Sequence, residues 1–223
     1  DIKTPSLGIL GELAFAHLVN RDAKTALKAA EDSLSILPGW TKGIAFKAIA
    51  LNELEFYEEA QNILRLDLFL QCTEIDPPHN YTNLEAFNLA LIKHIKKHPT
   101  LRYNSTNRSL SNARCTGALL GRGQGPFADF ERLISAALKR YRNTIKVQQD
   151  HPFVSSQPNK TIFDVWANIM DEEGYQDVHF HPTSWATGVY YPSANGIIDA
   201  DGQDNNEKGF GGWLELGATY CMV

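Results

Sequence analysis

Residues 22–38 read DAKTALKAAEDSLSILP, and this stretch decides the fold of the first third of the chain. Asp22 is a residue type that caps the start of a helix, and Pro38 cannot continue one. Between them the apolar residues recur every three or four positions: Ala23, Ala26, Leu27, Ala30, Leu34 and Leu37. This spacing predicts an amphipathic helix that packs one face against its neighbours.

The same pattern repeats along the chain. Two further helices are predicted, from Thr41 through Leu51 and from Tyr57 through Leu64. Two pairs of alanines lie 34 residues apart, namely Ala14 with Ala48 and Ala26 with Ala60. A 34-residue period with small residues where helices cross resembles the tetratricopeptide repeat, because antiparallel helices approach closely only over small side chains. A generic pair of helical hairpins is the alternative.

The second half of the chain changes character. A break at Asp76-Pro77-Pro78 is followed by a helix through Leu91, and Pro126 begins a long helix through Tyr141. Short strands are predicted in four places: Thr161–Met170, Val178–His181, Thr187–Tyr191 and Gly212–Leu216. An acidic loop is predicted from Ser193 to Gly211. Helices followed by strands predict an α+β protein.

Composition excludes several classes of function. The 223 residues carry 21 Lys and Arg against 26 Asp and Glu, so the net charge is −5. An acidic chain has no electrostatic surface for nucleic acid or an anionic membrane, and no apolar run has the roughly 18 residues of a membrane span. The 3 cysteines lack Cys-x-x-Cys spacing, which favours the reducing cytoplasm.

The densest chemistry lies at Asp177-Val178-His179-Phe180-His181-Pro182. On a strand, residues i and i+2 share a face, so His179 and His181 would project together as a pair of metal ligands. Asp177 shares that face and is either a ligand or a group that orients one. A pair of surface histidines on an edge strand is the alternative, because two histidines do not complete a metal site.

The surrounding sequence resembles the 2-oxoglutarate- and Fe(II)-dependent oxygenases. The resemblance lies in Trp166-Ala167-Asn168, in the run from Gly174 to Trp185, and in Gly188-Val189-Tyr190-Tyr191. It is similar to a bacterial and phage branch with a His-x-His-Pro motif before a Gly-Val-Tyr-Tyr strand. The resemblance implies a double-stranded β-helix, or jelly roll, that holds Fe(II) and uses 2-oxoglutarate as cosubstrate to hydroxylate a substrate.

The resemblance also implies roles for individual residues. His179 matches the first iron ligand, and His181 stands where the family has a carboxylate. Either His181 replaces that carboxylate as a ligand, or the iron has fewer protein ligands. Tyr190 matches the position that hydrogen-bonds the distal carboxylate of 2-oxoglutarate, and Asn168 could face the same cavity.

The family's distal His, and the Arg or Lys that pairs with 2-oxoglutarate, follow the strand at Gly212–Leu216 and would lie beyond Val223. The chain begins without Met and ends in an apolar run, so we expect a piece of a longer protein that retains iron weakly by itself. We expect three parts: a tetratricopeptide-like region (1–75), a helical and extended segment packing on the β domain (76–150), and the first half of the jelly roll (151–223).

The sequence thus predicts an oxygenase whose helical region binds a substrate or partner, either a protein, a peptide or a small molecule. The alternative is a non-catalytic tetratricopeptide module that binds peptides and carries a silent, cupin-like β platform. The sequence does not define the substrate or the oligomeric state.

Overall fold

The computed structural model describes residues 5–103, 109–121, 123–179, 181 and 183–193. Its helices are α1 (Leu7–Val19), α2 (Ala23–Ile36), α3 (Thr41–Glu53), α4 (Tyr57–Leu64), α5 (Leu66–Phe69), α6 (Leu84–Lys96), α7 (Pro126–Ile145) and α8 (Pro152–Ser155), with a 3-10 turn at Lys146–Gln148. Its strands are β1 (Arg102–Tyr103), β2 (Leu110–Cys115) and β3 (Asn168–Gln176). The predicted α+β class is confirmed.

Helices α1 to α4 form a stack in which each helix packs on the next. The core of this stack contains Ala14, Ala29, Ala30 and Phe46. Small residues set the spacing, since a Cβ on Gly11 would lie 2.5 Å from the ring of Trp40. The side chain of Asp22 caps α2 by accepting a hydrogen bond from the main-chain N–H of Thr25, as the sequence predicts.

All four alanines of the 34-residue period are buried: Ala14, Ala26, Ala48 and Ala60. Their burial in successive helices agrees with close helix crossings over small side chains. The predicted helices from Asp22 to Pro38, from Thr41 and from Tyr57 are confirmed.

A second core lies between α6 and α7. Its buried members are Phe87, Leu91, Ile95, Leu119, Phe127 and Phe130. Pro126 occupies the start of α7, as predicted, where a missing N–H costs no helical hydrogen bond.

The strands form one open antiparallel sheet in the order β1-β2-β3. Between the pairs Ser111 with Tyr175 and Ala113 with Met170 the register shifts, and β3 bulges outward. Asn112 (φ 45°) and Glu173 (φ 59°) adopt the left-handed region there. A Cβ on Gly174 would lie 2.6 Å from the carbonyl oxygen of Asn112, so the bulge requires glycine at this position.

Three of the strand predictions differ from the structure. The strand predicted at Thr161–Met170 begins only at Asn168 and continues to Gln176. The described residues of Val178–His181 and of Thr187–Tyr191 form no strand. These short apolar runs are held in place by side-chain contacts and turns, and not by backbone hydrogen bonds to a neighbouring strand. The alternation of apolar and polar residues in the sequence does not distinguish the two cases. The predicted strand at Gly212–Leu216 lies outside the described residues, as does all but the first residue of the predicted loop Ser193–Gly211.

Hydrogen bonds tie the stack of α1 to α4, and the short helix α5 that follows it, to later parts of the chain. The Thr41 hydroxyl donates a hydrogen bond to the carbonyl of Ser184 (3.3 Å), and the Tyr141 hydroxyl donates one to the carbonyl of Phe69 (2.9 Å). In the part of the chain that the structure describes, no helix combines the length and the apolar character needed to cross a membrane.

Candidate functional site

An extended segment before β3 forms one wall of the candidate site. The N–H of Thr116 donates to the carbonyl of Ala167 (3.0 Å), and the N–H of Leu119 donates to the carbonyl of Val165 (2.9 Å). The side chains of Val165, Ala167 and Ile169 pack against the core between α6 and α7. Because side chains alternate along an extended chain, Asp164, Trp166 and Asn168 lie on the opposite face.

His179 is held by its own backbone just after β3. The Asp177 N–H donates to the carbonyl of Ser109 (2.7 Å), which extends the pairing of β2 and β3 by one residue. The ring of His179 turns back and donates its Nδ1–H to the carbonyl of Asp177 (2.8 Å). A carbonyl can only accept, so this contact fixes the tautomer and leaves the lone pair on Nε2. Metal-binding histidines are commonly oriented in this way.

His181 lies next to His179 and against an aromatic ring. The two imidazole centroids are 4.9 Å apart at 87°, and the centroid of Trp166 is 5.5 Å from that of His181. Burial lowers the pKa of His181 below its ordinary value of 6.5, the neighbouring His179 lowers it further, and Asp164 opposes the shift. His181 is therefore neutral at pH 7, the form in which imidazole binds a metal.

The two histidines are adjacent for a different reason from the one the sequence suggests. The predicted strand at Val178–His181 is wrong, since β3 ends at Gln176 and the carbonyl of His181 accepts a hydrogen bond from the N–H of Ser184 (3.1 Å) in a turn. His181 precedes a proline, which has no N–H for a ladder and favours a turn here. Phe180 and Pro182 lie outside the described residues.

Tyr190, the residue expected to bind 2-oxoglutarate, contacts helices α6 and α7. Its hydroxyl donates a short hydrogen bond to Oδ1 of Asn88 on α6, and its ring lies 5.4 Å from that of Phe130 on α7. Burial raises the pKa of Tyr190, although the hydrogen bond to Asn88 opposes the shift. These contacts lie on the core side of the 165–169 segment, whereas His181 contacts Trp166 on the other side.

Asn168, the second residue expected at the cosubstrate, begins β3 opposite Cys115. It belongs to the same face as Trp166 by the alternation described above. Its Oδ1 atom is buried and has no hydrogen-bond partner within the described ranges. A buried acceptor of this kind is stabilised when a donor reaches it.

The residues present fit a metal ion in part. His179 and His181 supply two imidazole nitrogens of the kind that Fe(II) accepts. The main-chain carbonyl of Asp177 accepts the hydrogen bond from the His179 ring, and the role predicted for the Asp177 side chain stays a prediction. Among the residues that the structure describes, no group of three or more His, Cys, Asp or Glu side chains is placed to hold a metal ion.

Sequence reasoning missed two side chains beside the histidine pair, Trp166 and Asp164. The signal for them was present, because both alternate with the apolar residues Val165 and Ala167 in a run that reads as half-buried. What the sequence could not show is which later segment returns to cover this face.

Comparisons of the chain with protein-family models, with curated proteins and with solved structures find no match.

Proposed function

We propose that the protein is a 2-oxoglutarate- and Fe(II)-dependent oxygenase of the hydroxylase type, working in the cytoplasm. The observation that carries the proposal is the paired arrangement of His179 and His181, with Nδ1 of His179 bound to a main-chain carbonyl and Nε2 left as the donor. The resemblance of the surrounding sequence to such oxygenases supports it. The open sheet would then belong to a jelly roll, and α1 to α4 to a tetratricopeptide-like region.

In this proposal the chain's own residues hold and orient the reactants. His179 and His181 bind the metal, and the carbonyl of Asp177 keeps His179 in the required tautomer. When bound, the iron would allow molecular oxygen to hydroxylate a C–H bond while 2-oxoglutarate is oxidised to succinate and carbon dioxide. Trp166 shields one side of His181 from water, which keeps the imidazole neutral.

The test is the formation of succinate from 2-oxoglutarate in the presence of Fe(II) and oxygen. The protein in its full natural length should form succinate, and His179→Ala should abolish this activity because it removes a metal ligand. His79→Ala is the matched control, since His79 is exposed and remote in sequence from the pair. Equal activity of the His179→Ala protein and the wild type would contradict the assignment.

A second candidate function is a non-catalytic, peptide-binding module. The observation that favours it is the burial of the four alanines of the 34-residue period, as expected of a repeat stack that presents a binding surface. Stoichiometric metal binding that depends on His179 and His181 would oppose this candidate. Absence of both metal binding and succinate formation would favour it.

A further inference from the structure

Trp166 exposes an aromatic surface directly beside the histidine pair. About a third of the residue is accessible (39%), and its ring is tilted by 56° to that of His181. The apolar residues on either side of it, Val165 and Ala167, pack into the core. The backbone is thus fixed by its neighbours, and the indole is left on the surface of the site.

Asp164 lies on the same face, two residues earlier in the extended segment. Alternate residues of an extended chain are about 6.6 Å apart, so the carboxylate is within reach of a group that lies on the indole. Asp164 is exposed, and in the described part of the chain it takes part in no ion pair.

An aromatic face beside a carboxylate that has no ion-pair partner among the described residues, and that interacts electrostatically with His181, is suited to one chemical class of ligand. The face of tryptophan attracts cations better than that of any other side chain, and a carboxylate supplies the opposite charge. A neutral apolar group on the indole would gain nothing from the charge of Asp164, whereas a cation gains from both groups.

We propose that Trp166 and Asp164 form a subsite for the cationic end of a basic amino-acid side chain, which the protein takes as its substrate. The identification as a substrate rests on the proposed oxygenase function, whereas the binding of the cation does not. With the cation on Trp166, the uncharged methylene groups of the side chain extend towards His179 and His181.

The experiment is an NMR titration of the metal-free protein, followed at the indole N–H of Trp166. The probes are N-acetyl-lysine methylamide and its neutral counterpart N-acetyl-norleucine methylamide. We expect the lysine probe to shift the Trp166 signal and to bind at least about threefold more tightly than the norleucine probe. Equal affinity for the two probes, or no shift with the lysine probe, would overturn the proposal.

Two variants and two matched controls locate the effect. Trp166→Leu and Asp164→Asn should each weaken binding of the lysine probe at least about threefold, with the Trp166→Leu protein followed by its backbone signals. Tyr175→Leu removes another exposed aromatic ring and Asp150→Asn another exposed carboxylate, and both should leave the affinity unchanged. If the controls weaken binding as much as the site variants do, the proposed subsite is wrong.

Free L-lysine is a third probe and separates the two sources of a basic side chain. Tighter binding of the acetylated methylamide indicates a residue within a peptide, and tighter binding of L-lysine indicates the free amino acid; both place the cation at the same subsite. Selective lysine binding without succinate formation would support the subsite and refute the oxygenase. Succinate formation without selectivity for the lysine probe would support the oxygenase and refute the subsite.

Discussion

Helices α1 to α4 bury a continuous row of alanines, whereas no described residue of 161–193 is fully buried. The stack is stabilised by contacts between successive helices, over short separations in sequence. The later segment is attached by single side chains that reach distant elements, such as Tyr190 to Asn88 and Trp185 to Phe153. The stack therefore resists local change, while the segment with the histidine pair can shift without unfolding the protein.

The attachment at Trp185 shows how such a segment is fixed. Its ring stacks on that of Phe153 at 4.8 Å and 8°, and its Nε1–H donates to the carbonyl of the same residue (2.9 Å). Phe69 packs on Phe153 in turn, so helix α5 supports the segment that follows the histidines. Helices α5 and α8 thus provide the surface on which this segment is held.

The largest expected loss of stability comes from a substitution in the core of the stack of α1 to α4. Phe46→Ala removes a fully buried ring from the core with Ala14 and Ala30, and should lower the free energy of unfolding by about 3–5 kcal/mol. Urea denaturation measures the change. Phe56→Ala, at a ring that is half exposed, is the control and should cost less than about 1 kcal/mol. Similar losses for both variants would show that the stack is not the tightly packed region.

A smaller loss of stability is expected when a buried alanine at a helix crossing is replaced by a larger residue. Ala26→Leu adds three carbons to a position with no accessible surface and should destabilise the protein by about 1–3 kcal/mol. The control is Ala16→Leu, on the exposed face of α1, with a change within about 0.5 kcal/mol. Thermal or urea unfolding compares the two, and an unaltered Ala26→Leu protein would contradict the close helix crossing.

Tyr190→Phe distinguishes the structural role of Tyr190 from the role that the resemblance implies. Loss of its hydrogen bond to Asn88 should lower the free energy of unfolding by about 1 kcal/mol. If Tyr190 instead binds 2-oxoglutarate, the KM for 2-oxoglutarate rises and stability does not change. Measuring both quantities on the same variant separates the two roles, and a double-mutant cycle with Asn88→Ala confirms the pair.

The smallest effect concerns His151, which fastens α8 to the end of α4. Its Nε2–H donates to the carbonyl of Ile63 (3.0 Å), and its Nδ1 accepts from the N–H of Phe153 (3.2 Å). Burial lowers the pKa of His151 below 6.5, the charge of Arg65 adds to the shift, and the bond to Ile63 opposes it. The folded protein therefore favours the neutral imidazole of His151, and protonation of its Nδ1 breaks the hydrogen bond from the N–H of Phe153.

Stability from His151 is therefore complete above pH 6.5 and declines as the pH falls through the lowered pKa. The effect is modest because water reaches part of the ring. Urea denaturation at pH 7.5 and at pH 5 should show a larger loss for the wild type than for His151→Gln, which cannot be protonated. An equal loss in both proteins would exclude His151 as the source.

The sequence predicts the helical half of the fold well and the later half poorly, for a physical reason. Helix formation depends on residues within one or two turns of each other, so the local pattern is sufficient to predict it. The signals here are the spacing of the alanines and the capping or ending residues Asp22, Pro38 and Pro126. The bulge at Gly174 and the turn after His181 depend on partners far away in the chain, such as Asn112 and Trp166. Local pattern does not contain that information.

For the site, the sequence predicts that His179 and His181 lie together, and the structure places them together through a turn. The sequence does not predict the contact of His181 with Trp166, nor the hydrogen bond that ties Tyr190 to Asn88. Both contacts join segments whose spatial relation is set by tertiary packing.

Anaerobic calorimetric titration of Fe(II), with 2-oxoglutarate present, measures whether His179 and His181 bind the metal. For the protein in its full natural length we expect one Fe(II) per chain, both without substitution and with His79→Ala, and an affinity lower by at least about tenfold for His179→Ala and His181→Ala. The same Fe(II) affinity in all four proteins would contradict the assignment of the histidine pair as metal ligands.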